Sequence, residues 1–173
     1  MRPLGWYVAK IKEKITHSHE PVNAFYRKKG MKVGENCLIC TYLLSKEPFL
    51  IEIGNNVTIS TNVTFVTHDN CVKLLHPKKS DLFGKIKICD NCFIGENSTI
   101  LYGVTIPEKT IVAAGSVVTK SFTENEIIIG GNPAKKIGDW TTFKEKTMKH
   151  AVSRTELHDL LRKGYGDDVL VKR

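Results

Sequence analysis

Across two stretches of this 173-residue chain an apolar residue returns at every sixth position. From residue 53 the chain reads IGNNVT, ISTNVT, FVTHDN; from residue 88 it reads ICDNCF, IGENST, ILYGVT, IPEKTI, VAAGSV, VTKSFT. The recurring residues are Ile53, Ile59 and Phe65, then Ile88, Ile94, Ile100, Ile106, Val112 and Val118. A period of six matches neither an amphipathic helix nor a simple alternating strand. It fits a coil of short strands joined by tight turns, with one aliphatic side chain per strand pointing inward. The residue after it is often small (Gly54, Ser60, Gly95, Ala113). Four positions after it comes a small or β-branched one (Val57, Val63, Cys92, Ser98, Val104, Thr110, Ser116). Gly, Asn and Asp supply turn conformations that other residues resist. VGENCLIC at 33–40 starts an earlier copy. One coil cannot bury its own apolar side, whereas stacked coils share a continuous core. The repeat predicts an all-β solenoid over residues 33–137.

The ends follow a different period. Leu4, Val8, Ile11 and Ile15 share one face of a helix, which Pro21 is expected to end. Residues 141–163 also read as helical. SRTE at 153–156 has the form of a capping box, and Leu157, Leu160 and Leu161 form an apolar face. The expected organisation is a helical segment at 1–32, the solenoid at 33–137 and a helical extension at 138–173. Both helical parts are expected to cover solenoid ends or to make subunit contacts rather than to bind membrane.

Hydrophobic residues make up 41% and charged residues 25% of the chain, an ordinary globular composition. No apolar run is long enough to cross a bilayer as a helix. MRPLGWYVAKIKEKI is too interrupted by charge for the core of a signal peptide. The expectation is a soluble, cytoplasmic protein. The net charge of +8 suits an anionic ligand. Its lysines are scattered and no aromatic residues line a basic stripe, which argues against nucleic acid. An anionic membrane surface and a phosphate-bearing ligand stay open, and a phosphorylated cofactor would use a few lysines and leave the others solvated.

Five cysteines, an odd number, argue against a disulfide framework. Cys37-x-x-Cys40 and Cys89-x-x-Cys92 have the spacing of a zinc site. The six-residue register offers another account. Cys37 and Cys92 fall on the small fifth position, and Cys40 and Cys89 on the small second one, so each serves as a compact side chain. No metal is expected.

The hexad pattern resembles that of the hexapeptide-repeat acyltransferases. AAGSVVTKSFTENEIIIGGNPAKKI at 113–137 is similar to that family's closing motif, Gly-Ala-Gly-Ser-Val-Val-Thr-Lys followed by Gly-Asn-Pro-Ala-Lys. The resemblance covers roughly residues 33–137. It implies a left-handed parallel β-helix with a protruding loop and flanking helices. It also implies acetyl-CoA as acyl donor, and a homotrimer with active sites between subunits. The branch it points to is the sugar and polysaccharide O-acetyltransferases, which includes the maltose and galactoside enzymes.

The repeat breaks at Thr67-His68-Asp69-Asn70, and CVKLLHPKKSDLFGK follows with no six-residue beat. Pro77 and Gly84 mark turns there, so 69–85 is expected to protrude as a loop on a binding face. His68 stands at the base of that loop and matches the family's catalytic histidine. An imidazole, with an unperturbed pKa of about 6.5, offers a neutral base near pH 7. It can take the proton of a hydroxyl attacking a thioester, while a backbone N–H meets the developing oxyanion. Asp69 either orients His68 or shapes the turn. Asp81 is a weaker candidate for orientation, and His76 lies within the loop.

By the same resemblance, Gly95, Glu96, Ala114, Thr119, Lys120 and Lys135 occupy the family's CoA-contact positions. Two of the matches depart from the pattern: Glu96 stands where Ser or Asn is usual, and Phe93 where Trp is usual. The implied function is acetyl-CoA-dependent O-acetylation of a sugar or polysaccharide hydroxyl. The alternatives are N-acetylation of an amino sugar nucleotide and a non-catalytic β-helix scaffold. A γ-type carbonic anhydrase needs three converging histidines, and only His68 and His76 lie in the right region.

Overall fold

The turn residues explain how a six-residue period becomes a coil. In the computed structural model, which describes residues 2–43, 45–148 and 150–164, the fourth residue of eight hexads takes the left-handed conformation. Asn36, Asn56, Asn62, Asn91, Asn97, Gly103, Lys109 and Gly115 have φ between 54° and 78°. That region favours Gly and, among side chains, Asn. The asparagines also bond to each other: Asn36 Nδ2 donates to Asn56 Oδ1 (3.4 Å) and Asn56 Nδ2 to Asn91 Oδ1 (3.2 Å). Lys109 is the exception, and its ammonium meets Glu126 at 2.7 Å.

Between turns lie short strands, most of two or three residues, and those of the coil form three sheets. The first holds β1 (Lys32–Val33), β3 (Ile51–Ile53), β8 (Ile86–Ile88) and β11 (Thr105–Ile106). The second holds β2 (Leu38–Ile39), β4 (Thr58–Ile59), β9 (Phe93–Ile94), β12 (Ile111–Val112), β14 (Ile127–Gly130) and β15 (Lys135–Asp139). The third holds β5 (Thr64–Val66), β10 (Thr99–Leu101) and β13 (Val117–Val118). The chain visits the sheets in rotation, so within these three sheets the neighbours among β1 to β14 pair in parallel. The register stacks like on like: Ile53 on Ile88, Ile59 on Ile94 on Val112, Phe65 on Ile100 on Val118. All nine recurring apolar residues are buried, as are Val57, Val63, Cys92, Ser98, Val104, Thr110 and Ser116 at the fifth position.

The cysteines behave as the register requires. Cys37 and Cys92 are buried, with Sγ donating to the carbonyls of Gly54 (3.0 Å) and Pro107 (3.1 Å). Burial raises the Cys92 thiol to about 11. Cys40 is exposed and Cys89 half-buried.

The ends differ from expectation in two ways. The first helix, α1 (Leu4–Thr16), stops at His17 in the left-handed conformation, and Pro21 begins a second helix, α2 (Glu20–Lys28), instead of ending the first. Proline tolerates a first turn because that N–H has no helical partner. The aliphatic row of α1 is also not the face that packs on the rest of the protein. Trp6 and Ala9 are buried, whereas Leu4, Val8, Ile11 and Ile15 are exposed. The large indole decides the orientation. It lies 5.5 Å from the Tyr26 ring, 5.6 Å from Tyr42 and 5.9 Å from Phe25. The Tyr26 hydroxyl donates to Thr41 O and accepts from Leu43 N, both at 2.9 Å, which ties the helices to the first coil.

The chain divides into two compact units, residues 1–137 and 138–173. In the second, two helices, α3 (Trp140–Met148) and α4 (Arg154–Arg162), stand where one was predicted. The capping box starts the later one: Ser153 Oγ accepts from Glu156 N (3.2 Å), and Ser153 N donates to Glu156 Oε2 (2.6 Å). Among the described residues no helix is long and apolar enough to cross a membrane.

Candidate active site

His68 occupies the fourth position of its hexad, where the other coils turn left-handed. Here the chain stays extended. β6 (His68–Asp69) pairs antiparallel with β7 (Leu82–Phe83), with His68 opposite Phe83, so residues 69–85 leave the coil as a hairpin. The chain re-enters at Gly84, whose N–H donates to Thr67 O (3.1 Å). A side chain at Gly84 would begin 2.4 Å from the Gly103 nitrogen of the next coil, so the re-entry needs glycine.

The partner of His68 comes from the first coil. Among the described residues that coil gives no strand to the third sheet. Residues 40–43 and 45–47 are irregular there, and a 3₁₀ turn follows at Pro48–Leu50. This detour sets Glu47 beside His68, with Glu47 Oε2 2.8 Å from His68 Nδ1. The same oxygen accepts from Thr67 Oγ1 at 2.8 Å, and Thr67 Oγ1 lies 3.1 Å from Ser45 Oγ. Desolvation pushes the Glu47 carboxyl up. The hydrogen bonds from Thr67 and His68, with the charge of His68, outweigh it and hold the group below the usual carboxylate range. An ionised carboxylate only accepts. Nδ1 must therefore carry the proton, which leaves the Nε2 lone pair free as a base. The His68 side chain is 32% exposed and the Glu47 side chain 15%. Ser45, Lys46, Phe65, Val66, Thr67 and His68 line a cleft of about 290 Å³.

Of the two roles considered for Asp69, the geometry matches turn shaping. Its Oδ1 accepts from Cys71 N at 2.9 Å, and the carboxylate on the imidazole is that of Glu47. Glu47 escaped sequence reasoning because it lies 21 residues before His68, in a stretch without the repeat. The signal was the register itself: one coil below His68 falls near residue 48, since β2 and β4 pair Leu38 with Thr58.

The third sheet also positions two of the cofactor candidates. In its register Val66 aligns with Leu101, and Thr99 and Ile100 with Val117 and Val118. Thr119 and Lys120 thus continue the row of Val66 and Thr67 two coils away, about 10 Å at the spacing of hydrogen-bonded strands. Both are exposed. Gly95, Glu96 and Ala114 meet at the corner between the second and third sheets. Gly115 N donates to Glu96 O (2.7 Å), and a Cβ on Gly95 would lie 2.5 Å from Ala114 N. Lys135 begins β15 and is exposed; Ala134 N beside it donates to Val117 O (2.8 Å). Among the described residues Lys120 and Lys135 pair with no carboxylate, while Lys136 is engaged by Glu124 at 2.5 Å. The exposed corner and two free ammoniums fit a long, phosphate-ended cofactor.

A larger polar cleft of about 770 Å³ lies among residues of α2 and the first two coils, lined by His17, His19, Arg27 and Asn55. Its cation is already committed: Arg27 donates to Val33 O and Gly34 O, each at 2.7 Å, and meets Glu20 at 2.5 Å.

The repeat has matches among known proteins. Residues 85–120 match the family model described as the hexapeptide repeat of succinyl-transferase. The chain is 46% identical over 130 residues to Protein CapG of Staphylococcus aureus, covering 72% of this chain and 75% of that protein. It is 30% identical over 119 residues to the galactoside O-acetyltransferase of Escherichia coli, covering 68% and 58%. Among solved structures it resembles the hexapeptide-repeat-containing acetyltransferase VCA0836 of Vibrio cholerae complexed with acetyl coenzyme A. The TM-score is 0.57 and the identity 29%, over 65% of this chain and 61% of that one. With sequence similarity spanning most of the CapG relative and the same repeat folded into the same kind of coil, the chain belongs to the hexapeptide-repeat acetyltransferase family.

Proposed function

We propose that this protein moves the acetyl group of acetyl-CoA to a hydroxyl of a saccharide, in the cytoplasm, with His68 as general base. The carrying observation is the Glu47–His68 pair at the break in the coil, which leaves Nε2 of a half-exposed imidazole free at the mouth of a cleft. The relative named galactoside O-acetyltransferase supports a saccharide acceptor. The coil is read as the left-handed parallel β-helix of the family, over residues 33–137, with helical segments at 1–32 and 138–173, of which 165–173 lie outside the described residues. The working form is read as a homotrimer with sites between subunits.

Acetyl-CoA supplies an activated thioester. Gly95, Glu96 and Ala114 would line its arm, and Thr119, Lys120 and Lys135 would hold its phosphate end. His68 Nε2 takes the proton that the acceptor hydroxyl loses and gives it up to the departing sulfur. Glu47 keeps Nδ1 protonated and stabilises the imidazolium formed in between. Proton transfer of this kind contributes typically ~10²–10⁴-fold.

The test is calorimetric binding of acetyl-CoA to wild type and His68→Ala, followed by CoA release with maltose and galactosides as first acceptors. Both proteins should bind, since a base adds little to cofactor affinity, and His68→Ala should lose ~10²–10⁴-fold in turnover. Failure of the wild type to bind acetyl-CoA overturns the reading. Undiminished turnover by His68→Ala removes His68 as the base, and activity confined to amino sugars replaces the O-acetyl acceptor with an amine.

A further inference from the structure

The aliphatic face of α1 is exposed, and nothing in the catalytic reading accounts for it. Leu4 is 80% exposed, Tyr7 49%, Val8 42%, Ile11 59% and Ile15 72%. At 100° per residue these side chains form one stripe along a helix about 20 Å long. Lys12 and Lys14 flank the stripe, roughly 80° to either side of its centre. Both are exposed, and among the described residues neither pairs with a carboxylate. Glu13, the acidic residue of α1, points the other way, where it binds Lys10 (2.8 Å) and His19 (2.9 Å). The groove between α1 and α2 widens the strip with Val8, Ala24 and Phe25, and Lys28 stands on its rim. The opposite face is fixed by Trp6 and Ala9, so the stripe cannot turn inward without unburying the indole.

An apolar stripe of this size on a soluble surface marks a contact. Its flanks decide with what. Protein–protein interfaces are depleted of lysine. A helix lying in the plane of a bilayer has lysines beside its apolar face, where their stems reach past the acyl boundary and the ammoniums meet anionic headgroups. From this charge complementarity we infer that α1 docks the protein flat on an anionic lipid surface, with Leu4, Tyr7, Val8, Ile11 and Ile15 at the acyl boundary. Lys12, Lys14 and Lys28 then face the headgroups. This is peripheral binding by one helix face, and it is independent of the acetyl-transfer reading.

The experiment is co-sedimentation of the full chain with phosphatidylglycerol/phosphatidylcholine vesicles and with phosphatidylcholine vesicles alone. The proteins compared are wild type, Ile11→Glu and the double variant Lys12→Glu/Lys14→Glu. All three sites are exposed, and circular dichroism checks that the variants fold. The wild type should sediment with anionic vesicles and be released by salt, and each variant should lower the partition at least about tenfold. Equal binding by Ile11→Glu and wild type overturns the proposal, because the net charge alone would then explain it. Failure of the wild type to bind anionic vesicles overturns it as well, and a smaller assembly for Ile11→Glu in ultracentrifugation would then assign the stripe to a second copy of this chain.

Discussion

Replacing Glu47 by Gln tests the charge in the Glu47–His68 pair while leaving its shape. The amide oxygen can still accept from Nδ1, so the tautomer that frees Nε2 survives. What goes is the negative charge 2.8 Å from the ring nitrogen. A hydrogen bond to a charged group contributes ~1.5–3 kcal/mol. The pair is open to water, 32% on the histidine side, which screens it toward the lower end, ~1.5–2 kcal/mol. That stabilisation is largest when the imidazole is protonated, midway through transfer, so its loss falls on kcat. The expected decrease is roughly 10–30-fold, with the KM for acetyl-CoA unchanged because Glu47 lies two or more coils away from the cofactor candidates. The assay is spectrophotometric CoA release at saturating acetyl-CoA with the best saccharide from the acceptor screen. Circular dichroism establishes that the variant is folded. A kcat within twofold of wild type would refute the reasoning, as would a loss carried by the KM for acetyl-CoA alone.

Other predictions follow from the packing. Gly95→Ala drives a Cβ to 2.5, 2.6 and 2.8 Å from backbone atoms of Ala114, Val112 and Ala113. Overpacking against immovable backbone costs about 3 kcal/mol, a fall of roughly 10 °C in Tm. Gly103→Ala meets nothing within 4 Å and pays only for φ of 78°, so thermal unfolding should show a drop of roughly 3 °C. Acid should destabilise the coil through carboxyls held below their usual range. Asp90 is held down by Asn55 N and its side chain, Glu52 by Lys85 and Lys87, and Glu47 by Thr67 and His68 against desolvation. A lowered folded-state value stabilises above the unfolded value and is lost as pH falls through it, so Tm should decline below about pH 4. Asp90→Asn should flatten that decline.

How much was legible can be judged from particular residues. Ile53 and Ile59 reveal their burial in the sequence because each hexad is one strand and one turn, a local geometry that neighbouring residues dictate. The capping box at Ser153 is equally local. His68 stood out because it interrupts a repeat. Glu47 did not, because its contact with His68 is made across a coil step, through a detour with no pattern of its own. Pro21 was read as a stop, although proline suits the start of a helix as well as the residue past its end. The stripe of α1 was legible as a stripe, but its direction was not.

The sequence by itself determined the coil. An apolar side chain every six residues, Asn or Gly at most turns and a small residue at most corners leave few other ways to bury the aliphatic row. The tertiary structure decided which carboxylate meets the imidazole and which face of α1 meets solvent. Both depend on parts that are distant along the chain coming to the same place. Stacking of the first coil under the third sheet brings Glu47 to His68. The closeness of Trp6 to Phe25, Tyr26 and Tyr42 turns Leu4, Val8, Ile11 and Ile15 outward. Local propensity fixes the repeating unit, and only packing between units fixes what each unit touches.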